Sequence, residues 1–169
     1  MKLKCLLILP LFVATEIFAS GYGKAIWGMS EQEVLIAEKS RIIKLETPNS
    51  YSNSVELLRI ENLNISRKSC YAVFLFDDDT KKLIQVSIKF PNESDNSSNL
   101  FSSLEELLSQ KYGNPFYKSK ERITESGTHT VSWLSEGTKV TLTLLFIPQL
   151  VTKVRVTYQL AEDVGTSDL

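Results

Sequence analysis

The stretch Ile84-Gln85-Val86-Ser87-Ile88-Lys89-Phe90 alternates apolar and polar side chains without a break. Two later segments, 140–146 and 154–160, show the same alternation. Successive side chains of a strand point to opposite faces, so each segment predicts a strand with one buried face and one face in water. Such one-sided strands are typical of antiparallel sheets. Just before the first of them, Asp77-Asp78-Asp79-Thr80 followed by Lys81-Lys82 predicts a polar hairpin turn.

Two segments carry helix signals instead. Ser30 and Glu33 are spaced as a capping box, and Val34, Ile36 and Ala37 supply a short apolar face through about Ser40. A second helix is indicated by apolar residues at helical spacing: Leu100, Phe101, Leu104, Leu107, Leu108 and Tyr112. Gly113 can adopt the left-handed conformation that ends a helix, and Pro115 prevents its continuation.

The remaining segments have weaker patterns. Four further strands are predicted, at 41–45, 55–60, 118–123 and 128–134. The segment 46–54 contains Pro48 and several Asn and Ser residues, which predicts a turn or loop. The polar segment 91–99 is predicted to be a linker because it has nothing to bury.

The order of these elements suggests an internal duplication. A shift of 70 residues carries Val34 onto Leu104 and Phe76 onto Phe146 while preserving the inward and outward parity of the strands. We therefore predict one α+β domain at 20–160, built from two related halves at about 25–90 and 97–160. Each half would be a helix packed on an antiparallel sheet of three to four strands, and 161–169 would be a flexible tail. The alternative is an ordinary α+β domain that aligns with itself by chance.

The beginning of the chain predicts export. Lys2 and Lys4 precede the apolar segment 6–13, which is broken only by Pro10. Ile17-Phe18-Ala19 then supplies a small residue at the expected cleavage site, after Ala19 or close to it. This layout is typical of a secretory signal peptide at 1–19, and it predicts a periplasmic or secreted protein. The apolar segment is too short for a membrane span, which needs about 20 residues.

Cysteine use and charge restrict the function further. Removal of the predicted signal takes Cys5 with it, so Cys70 would be the only thiol; its apolar surroundings predict burial, and pairing between chains is the alternative. The full chain has a formal net charge of −1, with basic residues scattered along it. We therefore expect no nucleic-acid partner.

Few residues are candidates for chemistry. His129 is the only histidine, and no nucleophile motif accompanies it, so we predict that it is a solvent-facing strand residue. The Asp77-Asp78-Asp79 run lacks the spacing of a calcium loop, and Glu105 and Glu106 are explained by favourable charge at the opening of a helix. We predict no enzyme, and no catalytic, metal-binding or cofactor-binding residue.

Two longer motifs resemble known proteins. The segment Trp27-Gly28-Met29-Ser30-x-x-Glu33-Val34 resembles the opening of many small exported bacterial proteins. Leu107-Leu108-x-x-Lys111-Tyr112-Gly113-x-Pro115, followed by Trp133, resembles their second signature. Both also resemble the helix and turn motifs of the small lipoprotein of the barrel-assembly machinery, although the lipid-bearing cysteine is missing here. The tandem layout resembles the β-lactamase-inhibitor-protein fold, which implies an α+β protein that binds another protein.

The first functional hypothesis is a non-catalytic protein-binding module of the inhibitor, immunity or envelope-scaffold type. Its contact surface would be the wet faces of the strands at 83–90 and 139–160, with no single contact residue predicted. The alternative is a periplasmic binder of a small ligand or lipid. The alternative is motivated by a supply of aromatic side chains, which core packing also explains: Trp27, Tyr71, Phe74, Phe76, Tyr112, Phe116, Tyr117, Trp133 and Tyr158.

Overall fold

The computed structural model describes residues 20–91, 97–119, 126–147 and 151–161. The predicted signal peptide at 1–19, most of the predicted linker and nearly all of the predicted tail lie outside the described residues. The same holds for most of the predicted strand at 118–123.

Strands dominate the described residues, which contain two α-helices and one short 3-10 helix. In chain order the elements are β1 (Gly21–Tyr22), β2 (Ala25–Ile26), α1 (Glu31–Glu38), the 3-10 helix (Lys39–Arg41), β3 (Ile43–Tyr51), β4 (Ser54–Ile65), β5 (Lys68–Asp77), β6 (Leu83–Lys89), α2 (Ser97–Tyr112), β7 (Tyr117–Lys118), β8 (Gly127–Ser135), β9 (Thr138–Ile147) and β10 (Val151–Leu160).

Strands β3 to β10 form a single eight-stranded antiparallel sheet in the order β3-β4-β5-β6-β10-β9-β8-β7. At its centre β6 pairs with β10, from Lys89 opposite Arg155 to Gln85 opposite Gln159. The short strands β1 and β2 make a separate hairpin.

The predicted fold class is therefore wrong. Strand makes up 58% and helix 21% of the described residues, which are therefore mostly β and are not a pair of helix-on-sheet halves. The physical reason lies at the junction of β6 and β10. Two separate sheets would leave the backbone N–H and C=O groups of these strands at open edges, whereas here they pair with each other.

Both helices pack on the same face of this sheet. Their buried apolar side chains join one continuous core with the inward side chains of the strands, and Trp133, Phe74, Phe76 and Phe101 are its largest fully buried members. Helix α2 lies across β8, β9 and β10. Cys70 belongs to the same core and is 2% exposed, so its predicted burial is confirmed.

The predicted start of α1 and the predicted end of α2 are confirmed, but α2 begins at Ser97, so the prediction of a linker through residue 99 is wrong. Ser30 and Glu33 form the capping box, with the Ser30 amide donating to the Glu33 carboxylate at 2.7 Å. Helix α2 ends at Tyr112, and Gly113 follows it in the left-handed region with φ 81°. The apolar faces are narrower than predicted, because Ile36 is 62% exposed and Leu107 is 45% exposed.

Two strand predictions need correction. The segment 46–54 was predicted as a loop, yet β3 extends to Tyr51 and β4 begins at Ser54. An edge strand tolerates the exposed, polar composition and Pro48, because half of its backbone groups need no partner strand. Ile84 was predicted to face the core, but a register irregularity places Leu83 there and leaves Ile84 exposed.

Among the described residues, no helix combines the length and the apolar character that crossing a membrane requires.

Candidate functional site

The face of the sheet opposite the helices is its polar face. One row of directly paired residues crosses all eight strands on this face: Ile43, Arg59, Val73, Ser87, Thr157, Thr141, Ser132 and Tyr117. A neighbouring row crosses β5, β6, β10, β9 and β8 through Tyr71, Lys89, Arg155, Thr143 and Thr130. The two described helices bury their apolar side chains on the other side, so neither covers these rows, although Val73, Ser87 and Ser132 within them are buried.

Hydroxyl groups on the polar face bond to neighbours within the face. The Oγ of Ser132 and the Oγ1 of Thr141 are 3.3 Å apart, and the Gln85 amide donates to the Oγ of Ser87 at 2.9 Å. Ser87 and Ser132 are buried by the longer side chains around them.

A buried carboxylate anchors one end of the polar face. Glu56 is 1% exposed, and its Oε1 accepts hydrogen bonds from the Nη2 and Nε of Arg59 at 2.6 and 2.9 Å. Its Oε2 accepts from the Asn49 amide at 3.1 Å and from the Tyr51 hydroxyl at 3.3 Å. We call these four residues the Glu56 cluster. Burial by itself lowers the pKa of Arg59, but hydrogen bonding to Glu56 and its charge outweigh burial, so the Arg59 pKa is raised.

Tyrosine rings extend the Glu56 cluster towards the centre of the sheet. The guanidinium carbon of Arg59 lies 4.8 Å from the centre of the Tyr71 ring. The Nζ of Lys89 donates to the Tyr51 hydroxyl at 3.1 Å and lies 5.3 Å from the centre of that ring. These contacts hold the Arg59 and Lys89 side chains in place.

Positive charge continues across the neighbouring strands. The sequences of β6 to β10 contain no Asp or Glu, and their charged residues are Lys89, Lys118, Lys139, Lys153 and Arg155. Lys118 points the other way and pairs with Glu105 on α2. The other four form what we call the basic stripe; in the part of the chain that the structure describes, none of them makes an ion pair.

A second buried carboxylate, Glu38, fastens the β1–β2 hairpin to the end of α1. The Lys24 amide donates to its Oε1 at 2.7 Å, and the Nε of Arg41 donates to its Oε2 at 2.5 Å. A Cβ on Gly23, which has φ 63°, would lie 2.5 Å from the Glu38 Oε1. Burial alone raises the pKa of Glu38, but the hydrogen bonds from Arg41 and the backbone outweigh it, so the pKa is lowered.

His129 is not on the surface. The prediction of a solvent-facing residue is wrong: His129 is 2% exposed. It shares the parity of Val131 and Trp133, which point into the core, and this alternation was visible in the sequence.

The other acidic candidates have structural roles. The Oδ1 of Asp77 accepts from the backbone amide and the hydroxyl of Thr80, each at 2.7 Å, which lowers the Asp77 pKa and confirms the predicted hairpin turn. Glu105 pairs with Lys118, and Glu106 accepts from Gln110. Both lie in the middle of α2, so the prediction that they open a helix is wrong. Within the described ranges no three His, Cys, Asp or Glu residues come together as a metal site.

An open cleft lies at one end of the sheet, beside the polar face. Its volume is about 520 Å³, and it is lined by Trp27, Gly28, Lys82, Leu83, Ile84, Gln85, Gln159 and Leu160. The indole nitrogen of Trp27 donates to the Oγ1 of Thr138 at 3.1 Å and fixes the ring at the border of the cleft.

The wet faces of 83–90 and 139–160 were predicted as the contact surface, and the structure places these strands side by side on one polar face. The Glu56 cluster was not predicted. The available signal was the lone Glu between Val55 and Leu57 in an otherwise apolar segment.

No protein-family model, no curated protein and no solved structure matches the chain. The interpretation of the polar face therefore depends on its own geometry and charge.

Proposed function

We propose that this chain is an exported, non-catalytic protein-binding module that binds its partner through the polar face. One observation carries the proposal: both described helices pack on one side of an eight-stranded sheet, and the other side is left as a broad, ordered surface. A surface of this size suits a partner of protein dimensions better than a small molecule, which needs a concave site.

The side chains on the polar face support binding rather than catalysis. Arg and Tyr are the residue types that most often contribute strongly to protein interfaces, and here Arg59, Tyr51 and Tyr71 are already held by mutual contacts. Preorganised side chains lose less conformational entropy when a partner binds.

The cellular setting follows from the start of the chain. The signal-peptide pattern at 1–19 supports a protein that acts in the periplasm or outside the cell. Inhibition of an enzyme, immunity against a toxin and scaffolding of the envelope are all tasks for a non-catalytic binder. The resemblance of the Trp27–Ser30 opening to small exported bacterial proteins points to the same cellular setting. No cofactor is needed for any of these tasks.

Site-specific photo-crosslinking tests the proposal. A photoreactive residue replaces Thr143, at the centre of the polar face, in the full chain expressed in its own host. The matched control carries the same residue at Ser103, which is exposed on α2. We expect a discrete protein adduct from position 143 and none from position 103. Adducts that form only at 103, or none at 143 from a folded protein, would contradict the proposal.

The cleft beside Trp27 supports the second candidate, a small-ligand binder. Its lining includes the exposed side chains of Ile84 and Leu160, which could cover an apolar ligand. Native mass spectrometry of the secreted protein decides: a bound small molecule that is lost in Leu160→Arg and kept in Leu134→Arg would favour this candidate. Leu134 is a matched control because it is similarly exposed and does not line the cleft.

A further inference from the structure

Charge is segregated within the sheet. Strands β6 to β10 carry five cationic residues and no carboxylate, although the full chain has a net charge of −1. The acids that balance them lie elsewhere, and the basic stripe on the polar face (Lys89, Arg155, Lys153 and Lys139) is left without a described ion-pair partner. This is an uneven distribution of charge rather than an excess of cations.

The centre of the stripe is unfavourable for the isolated protein. Lys89 and Arg155 are directly opposite each other on paired strands, and like charges in this position repel. The carboxylates nearest in the sheet do not relieve this repulsion: Glu56 accepts two hydrogen bonds from Arg59, and Glu61 lies 3.7 Å from the same guanidinium. Lys89 is instead held against Tyr51. A carboxylate from outside the chain would remove the repulsion.

We infer that the partner of the polar face is a protein that presents an acidic surface, with its carboxylates placed over the basic stripe. This inference rests on the proposed function and names the chemistry of its partner. Lys153 and Arg155 lie two residues apart on one face, about 7 Å along the strand, and Lys89 is about 5 Å to the side of Arg155. Two or three carboxylates at such spacings would pair with all three cations.

The surroundings of the stripe favour a protein over the other polyanions. The sequence pI of about 5.9 is far below the values above about 9 that are typical of nucleic-acid-binding domains. Ser and Thr on the strands of the stripe offer hydrogen bonds, while Leu145 and Leu134 lie directly opposite Lys153 and Lys139. Such a mixture of polar, charged and apolar neighbours is typical of protein interfaces. Hydroxyl groups beside tyrosines and cations suit the mixed polar surface of a protein.

The experiment combines the crosslinker at Thr143 with charge reversal. Thr143 is directly opposite Arg155, so it reports on the stripe itself. The test variant is Lys153→Glu with Arg155→Glu, and both positions are exposed. The control is Lys68→Glu with Lys111→Glu, which changes net charge equally at exposed positions outside the polar face. We expect the test variant to lose at least about tenfold in adduct yield, and the control to keep it, because charge pairs at an interface depend on position.

The outcomes separate the two proposals. If the unsubstituted polar face yields no adduct, the proposed function fails. If it yields an adduct that the Lys153/Arg155 variant keeps in full, the proposed function stands and the acidic partner is refuted. An adduct with lipid or nucleic acid also refutes it.

Support requires that the crosslinked partner peptide borders Asp or Glu residues, and that changing these to Lys restores the adduct with the reversed variant. Circular dichroism must show that each variant is folded. The single variant Lys89→Gln removes one cation of the stripe and should lower the adduct yield less than the double reversal does.

Discussion

At the scale of single residues, Glu56 is the most constrained side chain of the polar face. A carboxylate buried in a protein is stable only when hydrogen bonds replace its lost hydration. Glu56 accepts four of them, from Arg59, Asn49 and Tyr51, and thereby joins β3 to β4 on the polar side. Its role is thus to hold the Arg59 and Tyr51 side chains in position.

Replacing Glu56 tests this role. Glu56→Ala is expected to lower the free energy of unfolding by about 2 kcal/mol, because three polar partners lose a charged acceptor. Glu61→Ala is the control, because Glu61 is 48% exposed and loses only an ion pair with Arg59 at 3.7 Å. This substitution should lower the free energy of unfolding by less than about 0.5 kcal/mol. Urea unfolding measures both. Equal effects of the two substitutions would show that Glu56 contributes no more to stability than the exposed Glu61.

Glu38 predicts how stability depends on pH. Its pKa in the folded protein is lowered, because hydrogen bonds from Arg41 and the backbone outweigh the effect of burial. Its contribution is therefore complete above the unfolded-state pKa of about 4.3 and is lost as the pH falls through the lower, folded-state value. Glu38→Gln should destabilise the protein at pH 7 and lose less stability than the wild type on acidification to pH 3. If Glu38→Gln follows the wild-type profile instead, the assignment to Glu38 is wrong.

At the scale of elements, the pairing of β6 with β10 carries a cost. Lys89 and Arg155 repel each other across these strands. Arg155→Thr should therefore raise the free energy of unfolding by about 0.2 to 1 kcal/mol. Lys153→Thr introduces the same side chain on the same strand opposite Leu145, so it controls for strand propensity. Thermal unfolding at low and high salt checks the result: the gain should shrink with salt for Arg155→Thr alone. A gain of equal size in both variants would refute the repulsion.

The elements that could be predicted from the sequence are those with contrasting faces. Strands β6, β9 and β10 alternate apolar and polar residues because one face meets the core and the other is open, so their positions followed from local pattern. Strand β3 is polar along its exposed edge and has no such contrast. Ile84 was misplaced because a register irregularity shifts the alternation, and such an irregularity depends on the neighbouring strand, not on the strand's own letters.

At the scale of the whole molecule, the candidate site depends on pairing that no local pattern contains. The sequence shows that carboxylates are absent from 83–89, and that Glu136 is the only one within 126–160. That Lys89 meets Arg155 follows only once β6 pairs with β10, across a separation of more than sixty residues. The basic stripe is thus partly visible in the sequence as composition, while its geometry arises from tertiary structure.

The continuous sheet also predicts how the molecule unfolds. The core is one cluster that includes residues of both helices, and β6 and β10 pair at the centre of the sheet, so neither side can lose its structure without exposing the other. We expect a single cooperative transition in urea. Trp27→Phe leaves only Trp133, whose indole nitrogen donates to Gly113 after α2, and Trp133→Phe leaves only Trp27, whose indole nitrogen donates to Thr138 at the start of β9. The two variants therefore report on different places in the core.

In each variant the fluorescence transition should coincide with the far-ultraviolet circular dichroism transition, whatever the shift in midpoint. Trp133→Phe should have the lower midpoint, because Trp133 is fully buried and its indole nitrogen donates to the Gly113 carbonyl at 3.1 Å. A fluorescence transition that precedes the circular dichroism transition in either variant would mean that one side of the sheet unfolds alone. The β6–β10 pairing would then be too weak to join the strands into one cooperative unit, and the polar face would lack the rigidity that the proposed binding requires.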